Sequence, residues 1–373
     1  MRLFNIKPQI YGYKKLNDFF SDFNVTKKDL VFTIEPLYEQ FIRHNHIEAD
    51  FIFLESFGIG EPTDTMIDSI KDSIDLSRFK RIIGIGGGSV IDIAKLLCLS
   101  NNLCISKIAE NISDLKKEKE LVIIPTTCGT GSEVTNISVV SFEKRGTKKG
   151  IVSDTLYADF AVLVPELLEI LPYNSFIFSS IDAFIHAAES FLAPKSSIYT
   201  DMFCLEAMKD IINGYMLMVN KGKNCRFEVF EKFLFASNFA GIAFNITGVA
   251  AVHALSYPFG SKLHVAHGES NYVFFTEVFK TYTDLNPGGK IAELNKYLKS
   301  ILGIRSPVDV YTYLEENIFS SLFPKKRLAD YGVRKKDIKI FTDKVVKEQQ
   351  RLLANNYLFL SEDNILNIYN SLY

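Results

Sequence analysis

The stretch RIIGIGGGSVIDIAK, residues 81–95, has the pattern of a buried strand that passes through a glycine turn directly into a helix. Three adjacent glycines, Gly86, Gly87 and Gly88, permit backbone conformations with positive φ and let N–H groups approach a ligand closely. Ser89 begins the helix, whose positive N-terminal end favours a phosphate group. The stretch therefore predicts a phosphate-binding unit of an α/β fold, and a tight turn without a ligand is the alternative.

The glycine turn differs from the G-x-G-x-x-G pattern of the common dinucleotide-binding fold. Ser89 stands where the third glycine of that pattern would fall. We therefore expect a Rossmann-like dinucleotide-binding domain of a different type.

Short β-branched runs alternate with helical patterns on both sides of this stretch, as far as about residue 170. The candidate strands cover residues 30–34, 50–54, 81–85, 121–124, 137–142 and 161–164, and helical spacing covers residues 35–44, 63–74 and 89–99. This alternation predicts βαβ units and a parallel sheet that is covered on both faces. A basic stretch in the same region, KRGTKKG at 144–150, is interpreted as a solvated turn.

The strand signal nearly disappears after residue 171. Long helical patterns follow, beginning with residues 175–192, 199–219 and 226–244. The break between Pro165 and Pro172 predicts an α/β domain at 1–170 and an all-helical domain at 171–373, with a cleft between them.

Composition and charge exclude several classes of protein. A formal net charge of −2 over 373 residues gives no electrostatic drive toward nucleic acid or an anionic membrane. No segment approaches the roughly 18 uninterrupted apolar residues that a membrane helix needs, and the N-terminal stretch 1–16 lacks the apolar core of a signal peptide. Five cysteines without a C-x-x-C pair are typical of a reduced protein. We expect a cytoplasmic protein with neither nucleic acid nor membrane as a partner.

A second polar loop, PTTCGTGSEVTN at 125–136, also follows a strand. Its hydroxyl groups suit phosphate and ribose oxygens at the carboxyl end of a parallel strand, and they belong to Thr126, Thr127, Thr130, Ser132 and Thr135. A polar turn would explain the loop alone, but two such loops at strand ends predict a bound nucleotide. Cys128 is interpreted as a packing residue, since no base flanks it in sequence.

Metal-ligating residue types concentrate in two apolar segments of the helical half. In DAFIHAAES, Asp182 and His186 are four residues apart and share one face of a helix. In VHALSYPFGSKLHVAHG, residues 252–268, His253 and His267 flank a Pro-x-Gly sequence that we expect to reverse the chain. Either these groups satisfy one another or they bind an ion, and one carboxylate with up to three imidazoles suits Fe²⁺ or Zn²⁺.

The motifs GGGSVIDIAK, PTTCGTGSEVT, DAFIHAAES and HALSYPFGSKLHVAHG together resemble the iron-containing (group III) alcohol dehydrogenases, and the likeness runs from about residue 30 to the C-terminus. The resemblance implies a homodimer with NAD and Fe²⁺, or Zn²⁺ as the alternative ion. It implies metal ligands at Asp182, His186, His253 and His267 and pyrophosphate contacts at Gly86, Gly87, Gly88 and Ser89. It also implies nucleotide contacts at Thr126, Thr127, Ser132 and Thr135 and polar residues near the cofactor at Asp92, Lys95 and Lys149.

The wording of several motifs is most similar to the NAD-dependent members of that family that act on 4-hydroxybutyrate. The implied reaction interconverts 4-hydroxybutyrate and succinate semialdehyde by hydride transfer, with a metal that polarises the carbonyl group. Lys262 is the candidate for binding the substrate carboxylate, and Lys149 and Arg145 are alternatives.

Three other functions stay open at the level of sequence. Oxidation of butanol, 1,3-propanediol or glycerol is an alternative within the same family. A dehydroquinate synthase-like lyase would share the NAD and the metal, and a scaffold with a structural metal would not be an enzyme.

The chain departs from the family pattern in two places. Tyr257 stands where many relatives carry a histidine four residues after the ligand that matches His253, so Tyr257 or His264 must serve if a proton relay is needed. Ile34 aligns with an aspartate that often selects NAD, and Glu35 beside it is the carboxylate available to bind the ribose. This neighbouring carboxylate favours NAD over NADP.

Overall fold

The computed structural model describes residues 4–99, 103–305 and 307–373. These residues form two compact units, one of residues 5–171 and one of residues 172–373 together with Phe4. The first unit is built on a sheet, and the regular elements of the second are all helices in its described residues.

A six-stranded parallel sheet forms the centre of the first unit. The strands of the unit are β1 Gln9–Gly12, β2 Asp29–Thr33, β3 Asp50–Phe53, β4 Arg81–Gly86, β5 Glu120–Pro125, β6 Ile137–Phe142, β7 Thr147–Val152 and β8 Phe160–Leu163. The order of strands in the parallel sheet is β1-β8-β5-β4-β2-β3. Strand β4, which leads into the glycine turn, lies between β5 and β2. The predicted fold class, a parallel α/β sheet followed by a helical part, is confirmed.

Apolar side chains pack against both faces of this sheet. Ile82 of β4 belongs to a core on one face, while its neighbours Ile83 and Ile85 belong to a second core on the other. The helices of the unit are α1 Leu16–Asp22, α2 Glu35–Leu37, α3 Asp64–Ser73, α4 Gly88–Leu97 and α5 Ile105–Glu110. Burial on both faces explains the nearly continuous apolar sequence of β4.

Residues 137–142 form a strand, but the expectation that they join the parallel sheet is wrong. They make β6, which pairs antiparallel with β7 in a separate two-stranded sheet. Only four residues separate the two strands, a connection too short for parallel pairing. Gly146 closes the turn at φ 59°, so the basic stretch 144–150 is part turn and part exposed strand, and its interpretation as a turn is only half correct.

The segment 35–44 is helical, but it is not the regular α-helix that its spacing predicts. Helix α2 ends at Leu37, a wider π-helical turn covers Tyr38–Ile42, and a 3-10 turn follows. The amide of Arg43 bonds to the carbonyl of Tyr38, five residues earlier. This wider turn lets the apolar Leu37 and Ile42, five residues apart, both face the core.

The helical unit consists of eleven helices in its described part. They are α6 Tyr173–Leu192, α7 Ile198–Lys221, α8 Phe230–Thr247, α9 Ala251–Leu263, α10 His267–Leu285, α11 Gly289–Leu302, α12 Val310–Tyr313, α13 Ser320–Leu322, α14 Lys335–Glu348, α15 Gln350–Leu353 and α16 Glu362–Ser371. In the described ranges no single helix is long and apolar enough to span a membrane, and α8 with α9 passes that test only as a pair bent by 103°. Helix α6 is buried along most of its length.

Candidate functional site

Helix α6 presents a row of buried polar side chains on one face. Asp182, His186 and Glu189 lie at positions i, i+4 and i+7, which one helical face shares. Each is no more than 6% exposed. Because burial of an unpaired carboxylate or imidazole is costly, these groups require partners.

Helices α9 and α10 bring two more histidines to this face. His253 lies in the first turn of α9, and His267 is the first residue of α10. The chain does not reverse at the Pro-x-Gly sequence as predicted, because Pro258 lies inside α9. It reverses at His264, whose left-handed conformation (φ 54°) ends the helix while the carbonyl of Gly260 accepts its N–H. A proline within a helix removes only one backbone hydrogen bond, and the surrounding packing tolerates that loss here.

Four ligand atoms converge at this point, one each from Asp182, His186, His253 and His267, and all lie within 4.8 Å of one another. Oδ1 of Asp182 lies 4.0, 3.7 and 3.8 Å from Nε2 of His186, His253 and His267 respectively. The two nitrogens of His186 and His253 are 3.1 Å apart. The structure thus brings together all four side chains that the sequence predicts as ligands.

The donor set of this cluster fits a divalent ion. Tetrahedral ligands at about 2.1 Å from a metal lie roughly 3.4 Å from one another, within the range of separations observed here. Burial acts to raise the pKa of Asp182, but His186, His267, His253 and the Asn271 hydrogen bond outweigh it, so the pKa lies below its ordinary value. The carboxylate is therefore ionised and available to a cation.

Glu189 sets the hydrogen bonding of His253. Oε2 of Glu189 lies 2.7 Å from Nδ1 of His253, on the side of the ring that faces away from the cluster. Burial, followed by the charge of His186, lowers the pKa of His253 well below its ordinary value, so the ring is neutral. A neutral ring that donates from Nδ1 offers the lone pair of Nε2 to the cluster.

A second group of hydrogen bonds fixes Asp182. Nδ2 of Asn271 donates to Oδ1 of Asp182 at 2.7 Å and lies 3.2 Å from Nε2 of His267. Ser256 donates to the amide oxygen of Asn271, which turns the amide nitrogen toward Asp182.

Burial raises the pKa of Glu189, which lies next to His253, to about 7.

Sequence reasoning missed Glu189 and Asn271, although their spacing gives a signal. Glu189 follows His186 by three residues, and Asn271 follows His267 by four, so each shares a helical face with a candidate ligand. A search for further polar residues on the faces of α6 and α10 would have found both.

Access to the cluster is one-sided. The side chain of His267 is 40% exposed, whereas those of Asp182, His186 and His253 are at most 7% exposed. Phe244 stacks on His186 with the ring centroids 4.4 Å apart. A small molecule would therefore reach the cluster from the side of His267.

The two relay candidates lie in different surroundings. The ring of Tyr257 is half-buried, with its centroid 5.9 Å from that of His267 and 6.3 Å from that of His253. His264 is exposed at the end of α9. The geometry places Tyr257, rather than His264, beside the ligand rings.

The candidate for the substrate carboxylate, Lys262, is already paired. Its ammonium donates to Oδ1 of Asp337 at 2.8 Å. The hydrogen bonds from Arg334 and Lys262 hold the pKa of Asp337 below its usual value. Of the two alternatives in the other unit, Arg145 pairs with Glu110, and Lys149 donates to the carbonyl of Ala109.

In the α/β unit, the glycine turn and the threonine-rich loop lie side by side. The amide of Thr126 donates to the carbonyl of Gly86 at 3.0 Å. A Cβ atom at Gly87 would lie 3.4 Å from the methyl of Thr127, and one at Gly88 would lie 3.3 Å from the methyl of Thr130. The hydroxyl of Thr127 is buried without a protein partner in the described residues. The two loops thus form one polar edge next to the start of α4.

Other predicted cofactor residues support this loop from behind. The buried ammonium of Lys95 donates to Ser132, Thr135 and the carbonyl of Ile137 at 2.7–3.1 Å. Asp92 accepts from the hydroxyl of Ser132 at 3.0 Å and from the amide of Val139 at 2.9 Å. In the structure these side chains bind one another, so their observed role is to hold the loop.

Two remaining candidates have protein partners of their own. The hydroxyl of Ser89 donates to the carbonyl of Gly60 at 2.8 Å. Glu35 begins α2, and its amide donates to the carboxylate of Glu55 at 3.2 Å. Thr33 links the end of β2 to Ile85 at the end of β4, so Glu35 follows a strand end that neighbours the glycine turn.

Comparison with known sequences identifies the class to which this fold and cluster belong. Residues 12–165 match the profile of iron-containing alcohol dehydrogenases, and residues 176–373 match the C-terminal profile of the same family. The chain belongs to the iron-containing alcohol dehydrogenase family. The predicted family and type of enzyme are confirmed.

Individual relatives are similar over most or all of the chain. It is 48% identical over 373 residues, all of both chains, to 4-hydroxybutyrate dehydrogenase of Clostridium kluyveri. It is 34% identical to long-chain-alcohol dehydrogenase 1 of Geobacillus thermodenitrificans, over 78% of this chain and 74% of that one. The fold matches sulfoacetaldehyde reductase from Bifidobacterium kashiwanohense, solved in complex with NAD+, with a TM-score of 0.84, 21% identity and coverage of 99% and 98% of the two chains.

Proposed function

We propose that the protein is an NAD-dependent 4-hydroxybutyrate dehydrogenase of the iron-containing type. The alcohol carbon of 4-hydroxybutyrate gives a hydride to the nicotinamide, and its hydroxyl proton leaves to solvent, which yields succinate semialdehyde and NADH. The observation that carries this proposal is the 48% identity to a 4-hydroxybutyrate dehydrogenase over the full length of both chains.

The four-residue cluster is the proposed site of Fe²⁺, with Zn²⁺ as the alternative ion. Asp182, His186, His253 and His267 would hold the ion, which would supply Lewis acidity to polarise the substrate carbonyl. Asn271 holds Asp182 in place, and Phe244 covers the face of His186 and excludes water there. Tyr257, beside His267, is the proposed group that passes the hydroxyl proton outward, and the exposed His264 is the alternative.

The polar edge formed by the glycine turn and the threonine-rich loop is the proposed NAD site. The backbone of Gly86–Gly88 and the hydroxyls of Thr126 and Thr127 would bind the phosphate groups at the N-terminus of α4. Lys95 would hold the threonine-rich loop in place for these contacts through its hydrogen bonds to Ser132 and Thr135. Glu35, at the end of β2, would accept a hydrogen bond from the ribose and disfavour the 2′-phosphate of NADP.

Three further features complete the proposal. The domains are proposed at 1–170 for NAD and at 171–373 for the metal. A cytoplasmic location fits the five free cysteines. The homodimer rests on the family resemblance alone, and light scattering would test it against a single-chain mass.

A substrate comparison tests the specific reaction. If a cation in the site binds the substrate carboxylate, kcat/KM for succinate semialdehyde should exceed that for butyraldehyde by at least about tenfold with NADH. Equal values would instead indicate an alcohol or diol dehydrogenase of broad specificity. The absence of any aldehyde-dependent NADH oxidation would contradict the proposed activity altogether.

A further inference from the structure

Glu189 lies directly behind the metal cluster, on the same face of α6 as Asp182 and His186. Its side chain is 1% exposed. Within the described chain, no lysine or arginine pairs with this carboxylate. Burial of an isolated carboxylate costs free energy, so hydrogen bonds to Glu189 must compensate for the loss of its hydration.

Three N–H groups from one stretch of chain surround the carboxylate. Oε1 accepts from the amide of Val252 at 2.7 Å, and Oε2 accepts from the amide of Ala250 at 2.9 Å. Both amides belong to the start of α9, whose N-cap residue Ala250 has no side chain that could cap them. Glu189 therefore acts as the missing cap of α9.

The third hydrogen bond of Glu189 joins it to the side chain of His253 and is not part of the helix cap. Oε2 also lies 2.7 Å from Nδ1 of His253, a contact that the helix cap does not require. The same carboxylate thus fixes the backbone that carries His253 and the ring itself. Both oxygens already accept from backbone amides, so Oε2 acts as an acceptor toward the ring and favours the tautomer with a proton on Nδ1, which directs the lone pair of Nε2 toward His186 and Asp182.

We propose that Glu189 is the positioning residue for His253: it locks the ring orientation and the Nδ1–H tautomer, and this makes Nε2 a metal ligand. The proposal rests on the proposed function, since it presupposes that the cluster binds an ion. It assigns to Glu189 no contact with substrate or cofactor.

The test is the Glu189→Gln variant of the full chain, with Zn²⁺ affinity measured by competition with a chelator. Glutamine has nearly the same shape, but it has only one acceptor oxygen and no charge. If the amide oxygen replaces Oε2, the amide nitrogen opposes the N–H of Val252 and disturbs the start of α9; if it replaces Oε1, the nitrogen faces Nδ1 and drives the proton of His253 onto Nε2, where it blocks the ligand. We expect Zn²⁺ affinity to fall about 10–100-fold.

Asp309→Asn is the matched control, because Asp309 caps α12 through the amide of Thr312 and the change is again acid to amide. Its Zn²⁺ affinity should equal that of the unaltered protein. Equal affinity in the folded Glu189→Gln variant would overturn the positioning role. A lack of Zn²⁺ binding by the unaltered protein would instead refute the metal site itself, so the two failures are distinguishable.

A second measurement determines the tautomer of His253 in the unaltered protein. In the ¹⁵N-histidine-labelled Zn²⁺ form of the unaltered protein, nitrogen chemical shifts distinguish a protonated ring nitrogen from a metal-bound one. The His253 signal, assigned with the His253→Ala variant, should show a proton on Nδ1 and metal on Nε2. Metal on Nδ1, or a proton on Nε2, would refute the assignment.

Discussion

Nε2 of His186 and Nε2 of His253 lie 3.1 Å apart in a buried site, with the carboxylate of Asp182 within 4.0 Å of both. Two lone pairs at that distance repel unless a proton or a cation lies between them. A proton would bridge only the two imidazoles, whereas a divalent ion would bind Asp182 and all three imidazoles at once. The residue chemistry therefore favours a metal site over a self-satisfied cluster.

His267 offers the most direct residue-level test, because it is the most exposed of the four proposed ligands and its removal should disturb the core least. In His267→Ala, metal content and turnover should fall together, with little loss of thermal stability in the metal-free protein. Elemental analysis and an NADH assay measure the two effects. His264→Ala, three residues away, should keep its metal, and full turnover of metal-free His267→Ala would contradict the assignment.

The convergence of Asp182, His186, His253 and His267 was predictable from sequence, because these residues stand out chemically within apolar segments. Glu189 and Asn271 were not predicted, since a buried glutamate or asparagine is informative only when its partners are known. Their partners, His253 and Asp182, lie 64 and 89 residues away in the chain. Only the packing of α6, α9 and α10 reveals those contacts.

At the scale of elements, the close approach of α10 to α6 positions His267. A Cβ atom at Gly268 would lie 2.1 Å from the carbonyl oxygen of Phe178 on α6, so only glycine fits there. Gly268→Ala should destabilise the protein by about 1–3 kcal/mol, because the overpacking outweighs the roughly 1 kcal/mol gain in helix propensity.

The same substitution should weaken metal binding, because it moves the first turn of α10. Urea unfolding and chelator competition measure the two effects. Gly150→Ala is the control, since a Cβ there meets only Ile137 at an ordinary 3.5 Å. A Gly268→Ala variant with unchanged stability and metal affinity would show that the close approach is not required.

Lys95 braces the threonine-rich loop from α4. Lys95→Met would leave two hydroxyls and a buried carbonyl without their donor, at a cost of roughly 2–4 kcal/mol in unfolding free energy. Burial lowers the pKa of Lys95 from 10.5 to about 8. Between these values the unfolded chain binds a proton that the folded chain lacks, so the contribution of Lys95 to stability rises with pH.

The stability difference between the unaltered protein and Lys95→Met should therefore widen from pH 8 to pH 10, by at most about 1.4 kcal/mol per pH unit. Denaturant unfolding at several pH values measures it. A difference that stays constant or narrows over this range would mean that Lys95 stays charged in the folded protein.

Elements with one strong local sequence pattern were predictable from sequence. Elements whose structure depends on a strand partner or on tertiary packing were not. The run from β4 through the glycine turn into α4 follows its pattern closely. The strand at 137–142 was expected in the parallel sheet, but its partner is the lysine-rich β7, whose polar sequence hides its strand character. Likewise, Pro258 signals a turn in isolation, but packing around α9 keeps it helical.

At the scale of the molecule, each of the two units has its own buried apolar core. A ligand that binds one unit should therefore protect mainly that unit from hydrogen exchange. Removal of the metal with a chelator should increase exchange in α6, α9 and α10 but not in β4 and β5. Addition of NAD should slow exchange at residues 86–97 and 125–135. Equal changes across the whole chain in both experiments would contradict separate sites.

X-ray absorption spectroscopy of the active enzyme tests the central claim most directly. Iron or zinc bound by Asp182 and three histidines predicts nitrogen and oxygen neighbours at about 2.0–2.2 Å with outer-shell scattering from three imidazole rings. A spectrum without imidazole scattering, or active enzyme that contains no metal, would contradict the four-residue site.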